Sequence, residues 1–262
     1  PIEELTQTSN SQVAILVTSI AALRILEAVG IEHCVVPTLK IVLVCCAGLS
    51  LGEYSALVAS GALEFSDAVM LVRRRGELME EASKNNPGAM ASILGISIDD
   101  LKDVCSQSGA EIANLNCPGQ VVISGKKESV HKAMELAGEK GAKKSILLNV
   151  SGPFHSSFMR DAALEFKKEL DKTRFSIPAI PIVSNVTADY ENGIEEIKEN
   201  LVRQLYSPVR WKESVMRISR DGCNMFLEIG PGKVLKGLLR RIDPELKVYN
   251  IETVEDMESI EA

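Results

Sequence analysis

A buried strand that runs into a glycine-bounded turn and then a helix constrains this chain more than any other feature. Residues 41–47 (IVLVCCA) form a continuous apolar run rich in β-branched side chains, typical of a strand covered on both faces of a parallel sheet. The turn GLSLG follows at 48–52, and a helical pattern covers 53–60. Strand, sharp turn and helix in this order predict an α/β fold.

The remaining pattern predicts two units. A helix over 13–29, preceded by a loop at 6–12 and stopped by Gly30, and a second helix over 66–84 belong with the first strand. Residues 88–149 change to strand, helix, strand pair, helix, strand, which indicates an inserted ferredoxin-like subdomain. The larger unit then resumes with predicted helices at 158–172, 194–206, 211–220 and 233–241 and strands at 180–184 and 225–229. We therefore predict a hydrolase-like parallel-sheet domain over 1–87 and 150–262, with the ferredoxin-like subdomain at 88–149.

Charge and composition exclude several classes. The chain of 262 residues has a formal net charge of −7, which argues against a general binder of nucleic acid or of anionic membranes. Six cysteines without CxxC spacing and three histidines suggest neither a zinc site nor a disulfide framework, and favour a reducing, cytoplasmic compartment. The apolar stretch 14–31 is broken by Arg24 and Glu27, so it indicates an amphipathic helix rather than a signal or membrane span.

The turn GLSLG matches the G-x-S-x-G nucleophile elbow, and its predicted context of strand before and helix after is the one this motif requires. The elbow places a serine in a strained turn at the head of a helix, where backbone N–H groups can stabilise an oxyanion. Ser50 is therefore the candidate nucleophile, with Gly48 and Gly52 permitting close packing. The structural alternative is a simple Gly-Ser turn between strand and helix.

A serine hydroxyl needs a base, and histidine is the usual partner near neutral pH. His33 follows a predicted helix end and His131 lies in a charged helical stretch, so both are interpreted as surface residues. His155 lies in a Gly-Pro loop after a predicted strand, where ligands of α/β sheets bind, and is the preferred base. A purely structural histidine remains the alternative.

Three consecutive arginines in LVRRRGELM (71–79) provide a candidate anion site. If one of them points inward, its planar guanidinium suits a bidentate grip on a substrate carboxylate. Arg75 is the candidate, although spacing alone does not choose among the three.

At these residues the chain resembles the malonyl-CoA:acyl carrier protein transacylases over nearly its whole length. The matching stretches are LTQTSNSQVAILVTSIAAL (5–23), GLSLGEYSALVASGAL (48–63), LVRRRGELM (71–79), GAMASILG (88–95), NCPGQVVISG (116–125), VSGPFHSSFM (150–159), PIVSNVTA (181–188), LVRQLYSPVRW (201–211) and EIGPGKVLKGL (228–238). Their order is that of the family, and so is their spacing outside one insertion.

The resemblance implies roles for seven residues, no cofactor, and malonyl-CoA and acyl carrier protein as substrates and partners. It implies Ser50 as acyl acceptor, His155 as base and Arg75 as the group that holds the malonyl carboxylate. The four others are a backbone carbonyl that orients the histidine (Gln204), an oxyanion N–H (Leu51), a site-lining asparagine (Asn116) and a bulky residue that accompanies malonyl preference (Phe154). Seven basic residues are candidates for a surface that meets the acidic carrier protein: Lys143, Lys144, Arg210, Lys212, Lys236, Arg240 and Arg241.

The sequence departs from the family pattern in three places. The family's N-terminal strand and GQGSQ loop have no counterpart, and the chain opens at Pro1, so an upstream segment is expected to be missing. Leu49 replaces a residue that is often histidine. The link from Cys34 to Cys46 is longer than in the family, so either HCVV (33–36) or IVLVCC (41–46) is the sheet strand.

The expected activity is transfer of malonyl groups to acyl carrier protein in fatty acid biosynthesis through a malonyl-serine intermediate. Three alternatives stay open at this point. They are an acyltransferase domain of a polyketide-type synthase, an α/β serine hydrolase in which Asp171 or Glu165 orients His155, and an inactive fragment that at most binds a carrier protein.

Overall fold

The structure, a computed structural model, describes the backbone of residues 1–28, 35–36 and 41–257 and the side chains of residues 1–28 and 43–256. Its α-helices are α1 (Ile2–Leu5), α2 (Thr8–Ala28), α3 (Gly52–Ala59), α4 (Phe65–Asn85), α5 (Ile98–Ser108), α6 (Lys127–Glu139), α7 (Arg160–Lys172), α8 (Ile194–Gln204), α9 (Trp211–Arg220), α10 (Val234–Ile242) and α11 (Val254–Met257). Its strands are β1 (Val35–Val36), β2 (Ile41–Val42), β3 (Gly88–Leu94), β4 (Glu111–Cys117), β5 (Gln120–Lys126), β6 (Lys144–Leu147), β7 (Met225–Ile229) and β8 (Lys247–Ile251).

The ferredoxin-like subdomain has the predicted order of elements. Its four strands form one antiparallel sheet in the order β4-β5-β3-β6, and α5 and α6 pack on it over a separate hydrophobic core. That core lets the unit bury its own apolar faces. The mixed α/β fold class is confirmed, and the separate core supports our proposal that the subdomain spans 88–149, between the two parts 1–87 and 150–262 of the larger domain.

The parallel strand pairing in the larger unit covers fewer residues than predicted. The β7 strand pairs in parallel with β8, a strand that the sequence analysis did not identify. The run 41–47 forms no continuous strand, since β2 pairs antiparallel with β1, Val44 is 52% exposed, and only Cys46 makes a parallel bridge, to Ile182.

The segment 180–184 also falls short of a full strand, for a reason visible in its hydrogen bonds. Pro181 has no N–H to donate to a ladder. The Ile182 carbonyl accepts from Glu191 N–H, and Ser184 N–H donates to the Asp189 carbonyl, so both groups serve the following loop. The following loop therefore occupies the edge away from Cys46, and on the Cys46 side Pro181 cannot extend the pairing beyond the two bonds that flank Cys46.

The helix predicted over 13–29, α2, begins earlier than expected. The prediction of a loop at 6–12 is wrong, because α2 starts at Thr8 and its Ser9 N–H donates to Glu80 Oε1 on α4 at 2.8 Å. This long-range bond satisfies one of the donors that a helix leaves open at its first turn. The predicted stop at Gly30, together with His33 and Cys34, lies outside the described residues.

Among the described helices one, α2, is long and apolar enough to cross a membrane by length and composition alone. A core helix of a folded protein passes the same test. Here α2 buries Leu16, Ile20, Leu23 and Leu26 against the rest of the protein.

Candidate active site

Ser50 lies in a strained turn between the Cys46 bridge and α3. Its φ of 52° falls in the left-handed region, which costs a non-glycine residue about 1–2 kcal/mol. The side chain of Asn185 offsets this cost: Oδ1 accepts from Ser50 N–H at 2.6 Å, and Nδ2 donates to the Gly48 carbonyl at 2.7 Å. Asn185 therefore bonds to both sides of the turn and holds Ser50 in its strained conformation.

The two glycines of the motif have different roles. A Cβ on Gly48 would lie 2.0 Å from the carbonyl carbon and oxygen of Gly52, a distance that no side chain can occupy. A Cβ on Gly52 would meet nothing within 4 Å. Close packing of the turn therefore depends on Gly48.

We expect Gly48→Ala to destabilise the protein and Gly52→Ala to leave it as stable or slightly more so. Overpacking against fixed backbone costs about 1–3 kcal/mol, whereas alanine in a helix is favoured over glycine by about 0.5–1 kcal/mol. For a chain of this size the first change lowers Tm by several degrees. Thermal unfolding followed by circular dichroism compares the matched pair, and equal shifts for both variants would contradict this account of the turn.

His155 contacts the nucleophile candidate directly. Its Nε2 lies 2.9 Å from Ser50 Oγ, and its Nδ1 lies 2.8 Å from the main-chain oxygen of Gln204. Because a carbonyl oxygen can only accept, the Nδ1 atom carries the proton and Nε2 is free to accept the serine proton. The loop conformation is unusual for histidine, with a φ of 56°.

The environment of His155 keeps its imidazole neutral. The side chain is 5% exposed. Burial, helped by the positive charge of Arg75, lowers the pKa of His155 to about 4, while the bond to Gln204 opposes the shift. A neutral imidazole at physiological pH is ready to act as a general base.

No carboxylate orients His155 among the described residues. Glu165 pairs with Lys168 at 2.7 Å and Asp171 with Lys167 at 2.8 Å, and all four side chains are half exposed to solvent. The position that an Asp or Glu occupies in a serine hydrolase triad is taken by the Gln204 carbonyl. The arrangement therefore differs from the triad that the hydrolase alternative requires. His131 lies exposed on α6, within the subdomain.

Of the three arginines, the structure turns Arg75 inward. Arg73 is solvent-exposed, Arg74 is half-buried, and both pair with Glu77. Arg75 is 1% exposed, and its Nη2 lies 3.0 Å from Ser50 Oγ. Its guanidinium donates further to Gln12 Oε1 at 2.5 Å and to Gln204 Oε1 at 2.9 Å.

Arg75 is a buried cation that no carboxylate contacts within the described ranges. Its hydrogen-bond acceptors are neutral amide and hydroxyl oxygens, its Nε has no acceptor in the described part of the structure, and its guanidinium carbon lies 5.6 Å from the centre of the Tyr54 ring. Burial lowers the pKa of Arg75, but a guanidinium remains protonated in proteins. A buried charge without a counter-charge is costly, so the site is suited to an anionic ligand.

A backbone donor at the head of α3 is available for an oxyanion. Ser50 N–H is used by Asn185, and in the described part of the chain Leu51 N–H has no acceptor. The N-terminus of a helix is a favourable place for negative charge. Leu51 N–H is thus a donor next to the nucleophile candidate.

The two remaining candidates, Asn116 and Phe154, have no described side-chain hydrogen bond to this cluster. Asn116 lies on β4, and its buried Oδ1 has no partner among the described atoms. Phe154 directly precedes His155 and packs into the largest hydrophobic core. Both roles remain predictions.

Sequence analysis missed three residues of the cluster: Gln12, Glu53 and Asn185. Gln12 lies one helical turn before Leu16 on the apolar face of α2, and a polar residue on such a face is a detectable signal. Asn185 follows the predicted strand 180–184, where ligand-binding loops begin. Glu53 is a buried carboxyl in the first turn of α3, and its burial has no local signature.

Comparisons with known proteins agree on one family. The acyl transferase domain family matches residues 1–256. The malonyl CoA-acyl carrier protein transacylase of Bacillus subtilis is 49% identical over 264 residues, which cover 99% of this chain and 79% of that protein.

Solved structures agree as well. An acyl carrier protein S-malonyltransferase from Vibrio cholerae superposes with a TM-score of 0.93 at 39% identity, covering 100% of this chain and 84% of that one. A malonyl-transacylase solved in complex with a type II polyketide acyl-carrier protein gives a TM-score of 0.93 at 39% identity, with 99% and 82% covered. The chain belongs to the malonyl CoA-acyl carrier protein transacylase family.

Proposed function

We propose that this chain transfers the malonyl group of malonyl-CoA to the phosphopantetheine thiol of acyl carrier protein, in fatty acid biosynthesis, through a malonyl ester on Ser50. The observation that carries this proposal is the buried Arg75 guanidinium, which lies 3.0 Å from the Ser50 hydroxyl and has no carboxylate partner among the described residues. A nucleophile beside a buried, uncompensated cation suits an acyl group that carries its own negative charge.

The first half-reaction follows from the Ser50–His155 contact. His155 Nε2 takes the proton of Ser50 as Oγ attacks the thioester carbonyl, and the resulting oxyanion is stabilised by Leu51 N–H. Collapse of the tetrahedral intermediate breaks the carbon–sulfur bond, and His155 gives its proton to the departing coenzyme A thiolate. The Gln204 carbonyl stabilises the transient imidazolium through the Nδ1 proton.

The second half-reaction reverses these steps with another thiol. His155 accepts the proton of the phosphopantetheine thiol, whose sulfur attacks the Ser50 ester carbonyl. When the ester bond breaks, His155 returns the proton to Ser50 Oγ. The enzyme is regenerated, and the malonyl group leaves as a thioester of the carrier protein.

The position of Arg75 favours a short dicarboxylic acyl group. Its Nη2 contacts the Ser50 hydroxyl directly, so a carboxylate bound to the guanidinium lies close to the carbon under attack. In a malonyl group one carbon separates the carboxylate from the thioester carbonyl. Asn116 and Phe154 belong to this proposal as residues that line the acyl site.

The proposal includes acyl carrier protein as partner and the cytoplasm as location. The solved complex of a related transacylase with its acyl-carrier protein supports the first, and the cysteine pattern supports the second. Of the seven basic residues considered as a docking surface, Arg210 pairs with Glu213, and Arg241 donates to Gln120 Oε1.

Intact-protein mass spectrometry after brief mixing with malonyl-CoA tests this function. We expect one malonyl adduct per chain, mapped by peptide analysis to Ser50 and discharged when acyl carrier protein is added. Acetyl-CoA serves as the control ligand that lacks the free carboxylate. A folded protein that acquires no adduct, or an adduct that the carrier protein does not remove, would contradict the proposal.

A further inference from the structure

A buried carboxyl group lies behind the elbow and takes no part in the mechanism described above. Glu53, in the first turn of α3, is 2% exposed, and no lysine or arginine forms an ion pair with it among the described residues. Acidic side chains are rarely buried in this way without a partner. Its hydrogen bonds indicate what it does.

Glu53 binds the far side of the Gln204 carboxamide. Its Oε2 accepts from Gln204 Nε2 at 2.5 Å and from Asn185 N–H at 3.4 Å. The opposite end of the same carboxamide, Oε1, accepts from Arg75 Nη2 at 2.9 Å. The carboxamide of Gln204 thus separates the carboxyl of Glu53 from the guanidinium of Arg75.

A carboxamide can turn over and exchange its oxygen for its NH₂ group with little change in shape. With NH₂ towards Arg75 the contact would join two donors, and the guanidinium would lose an acceptor. Acceptors at the other end oppose this exchange, and Glu53 Oε2, at 2.5 Å from Gln204 Nε2, is the nearer of two. Gln204 Nε2 also donates to the Ser50 carbonyl at 3.0 Å, in the same orientation.

We propose that Glu53 is a positioning residue for substrate selection: it fixes the Gln204 carboxamide with its oxygen towards Arg75 and so keeps the guanidinium aimed at the free carboxylate of the acyl group. This inference rests on the proposed function. Glu53 acts through Gln204 and does not touch the substrate.

The protonation of Glu53 agrees with this role. Burial raises the pKa of Glu53 to about 8, and the nearby Glu191 raises it as well, whereas Gln204, Asn185 and the charge of Arg75 lower it. Near neutral pH the group is largely an uncharged acid whose carbonyl oxygen still accepts from Gln204. It therefore leaves the positive charge of Arg75 uncompensated until the substrate carboxylate binds.

The ratio of kcat/KM for malonyl-CoA to kcat/KM for acetyl-CoA tests the inference. Glu53→Leu removes the acceptor, and we expect the ratio to fall about 10- to 100-fold, as for loss of an oriented hydrogen bond to a charged group, chiefly through a higher KM for malonyl-CoA. Glu53→Gln, which resembles the uncharged acid, is expected to stay within a few-fold of the unmodified protein. Glu53→Asp, too short to reach Gln204, should lower the ratio even if Glu53→Leu does not fold.

Val58→Ala is the matched control for a purely structural effect, because Val58 is buried on the same helix outside the network. It should lower Tm and leave the ratio unchanged. The inference is overturned if Glu53→Leu or Glu53→Asp folds and retains the ratio, or loses both activities equally. If the unmodified protein forms no malonyl-Ser50 ester, the proposed function itself fails, and that result is separate from any effect of Glu53.

Discussion

Replacing Ser50 with alanine is expected to lower malonyl transfer from malonyl-CoA to acyl carrier protein by about 10⁴-fold or more, the scale seen when an enzyme loses its covalent nucleophile. The change removes the oxygen that lies 2.9 Å from His155 Nε2 and 3.0 Å from Arg75 Nη2, so neither group can compensate. The remaining binding groups can hold malonyl-CoA but have no atom with which to form the ester.

The measurement combines turnover with intact mass. We expect Ser50→Ala to form no malonyl adduct and to melt close to the unmodified protein, because alanine keeps the backbone and the bond from residue 50 N–H to Asn185. Ser55→Ala on the same helix is the matched control, since the Ser55 hydroxyl has no partner among the described residues. Retention of more than a hundredth of the turnover by Ser50→Ala would argue for a different nucleophile.

Replacing Arg75 with leucine is expected to lower kcat/KM for malonyl-CoA by about 10²-fold to several 10³-fold and to affect acetyl-CoA far less. Breaking a buried charge pair costs about 3–5 kcal/mol, and about 1.4 kcal/mol corresponds to tenfold in rate. The selective loss follows because Arg75 would hold only the free carboxylate, which an acetyl group lacks. The stability should change little, since the variant removes an uncompensated buried charge but leaves Gln12 and Gln204 without a donor.

Arg74→Leu is the matched control for this variant. Arg74 is the preceding residue on α4, is half-buried, and pairs weakly with Glu77 at 3.5 Å away from Ser50, so its loss should leave both substrates unaffected. Steady-state rates with both thioesters distinguish the variants. An equal loss with malonyl-CoA and acetyl-CoA in Arg75→Leu would mean that Arg75 supports the site as a whole and does not select the acyl group.

Much of the local structure could be predicted from the sequence, because hydrophobic period and turn chemistry act over a few residues. The elements of the ferredoxin-like subdomain and the start of α3 at the last glycine of the GLSLG turn follow from such signals. Long-range effects explain the misses. The first turn of α2 is held by a bond to Glu80 on α4, and the segment predicted as a strand at 180–184 bonds to the following loop along one edge.

The packing of α4 against α2 accompanies the burial of Arg75, the one arginine of the three that points inward. At Gly76 the backbone of α2 approaches so closely that a Cβ would lie 2.6 Å from the Cα of Ser9. This close approach belongs to the face of α4 that packs on α2; Arg75 on that side points towards Ser50, whereas Arg73 is exposed and Arg74 is half-buried. The helical period agrees with this orientation, because Arg75 lies three or four residues from the buried Leu71, Val72, Leu78 and Met79.

By itself the sequence determined the candidate nucleophile and base, since an elbow motif and a histidine in a Gly-Pro loop are local features, and it determined the family through matching stretches in order. Only the tertiary structure decided what surrounds them. The Ser50–Asn185 and Glu53–Gln204 bonds join residues 135 and 151 positions apart. The partners of a buried polar group are whichever groups the packed chain brings within hydrogen-bond distance, and no local pattern encodes that distance.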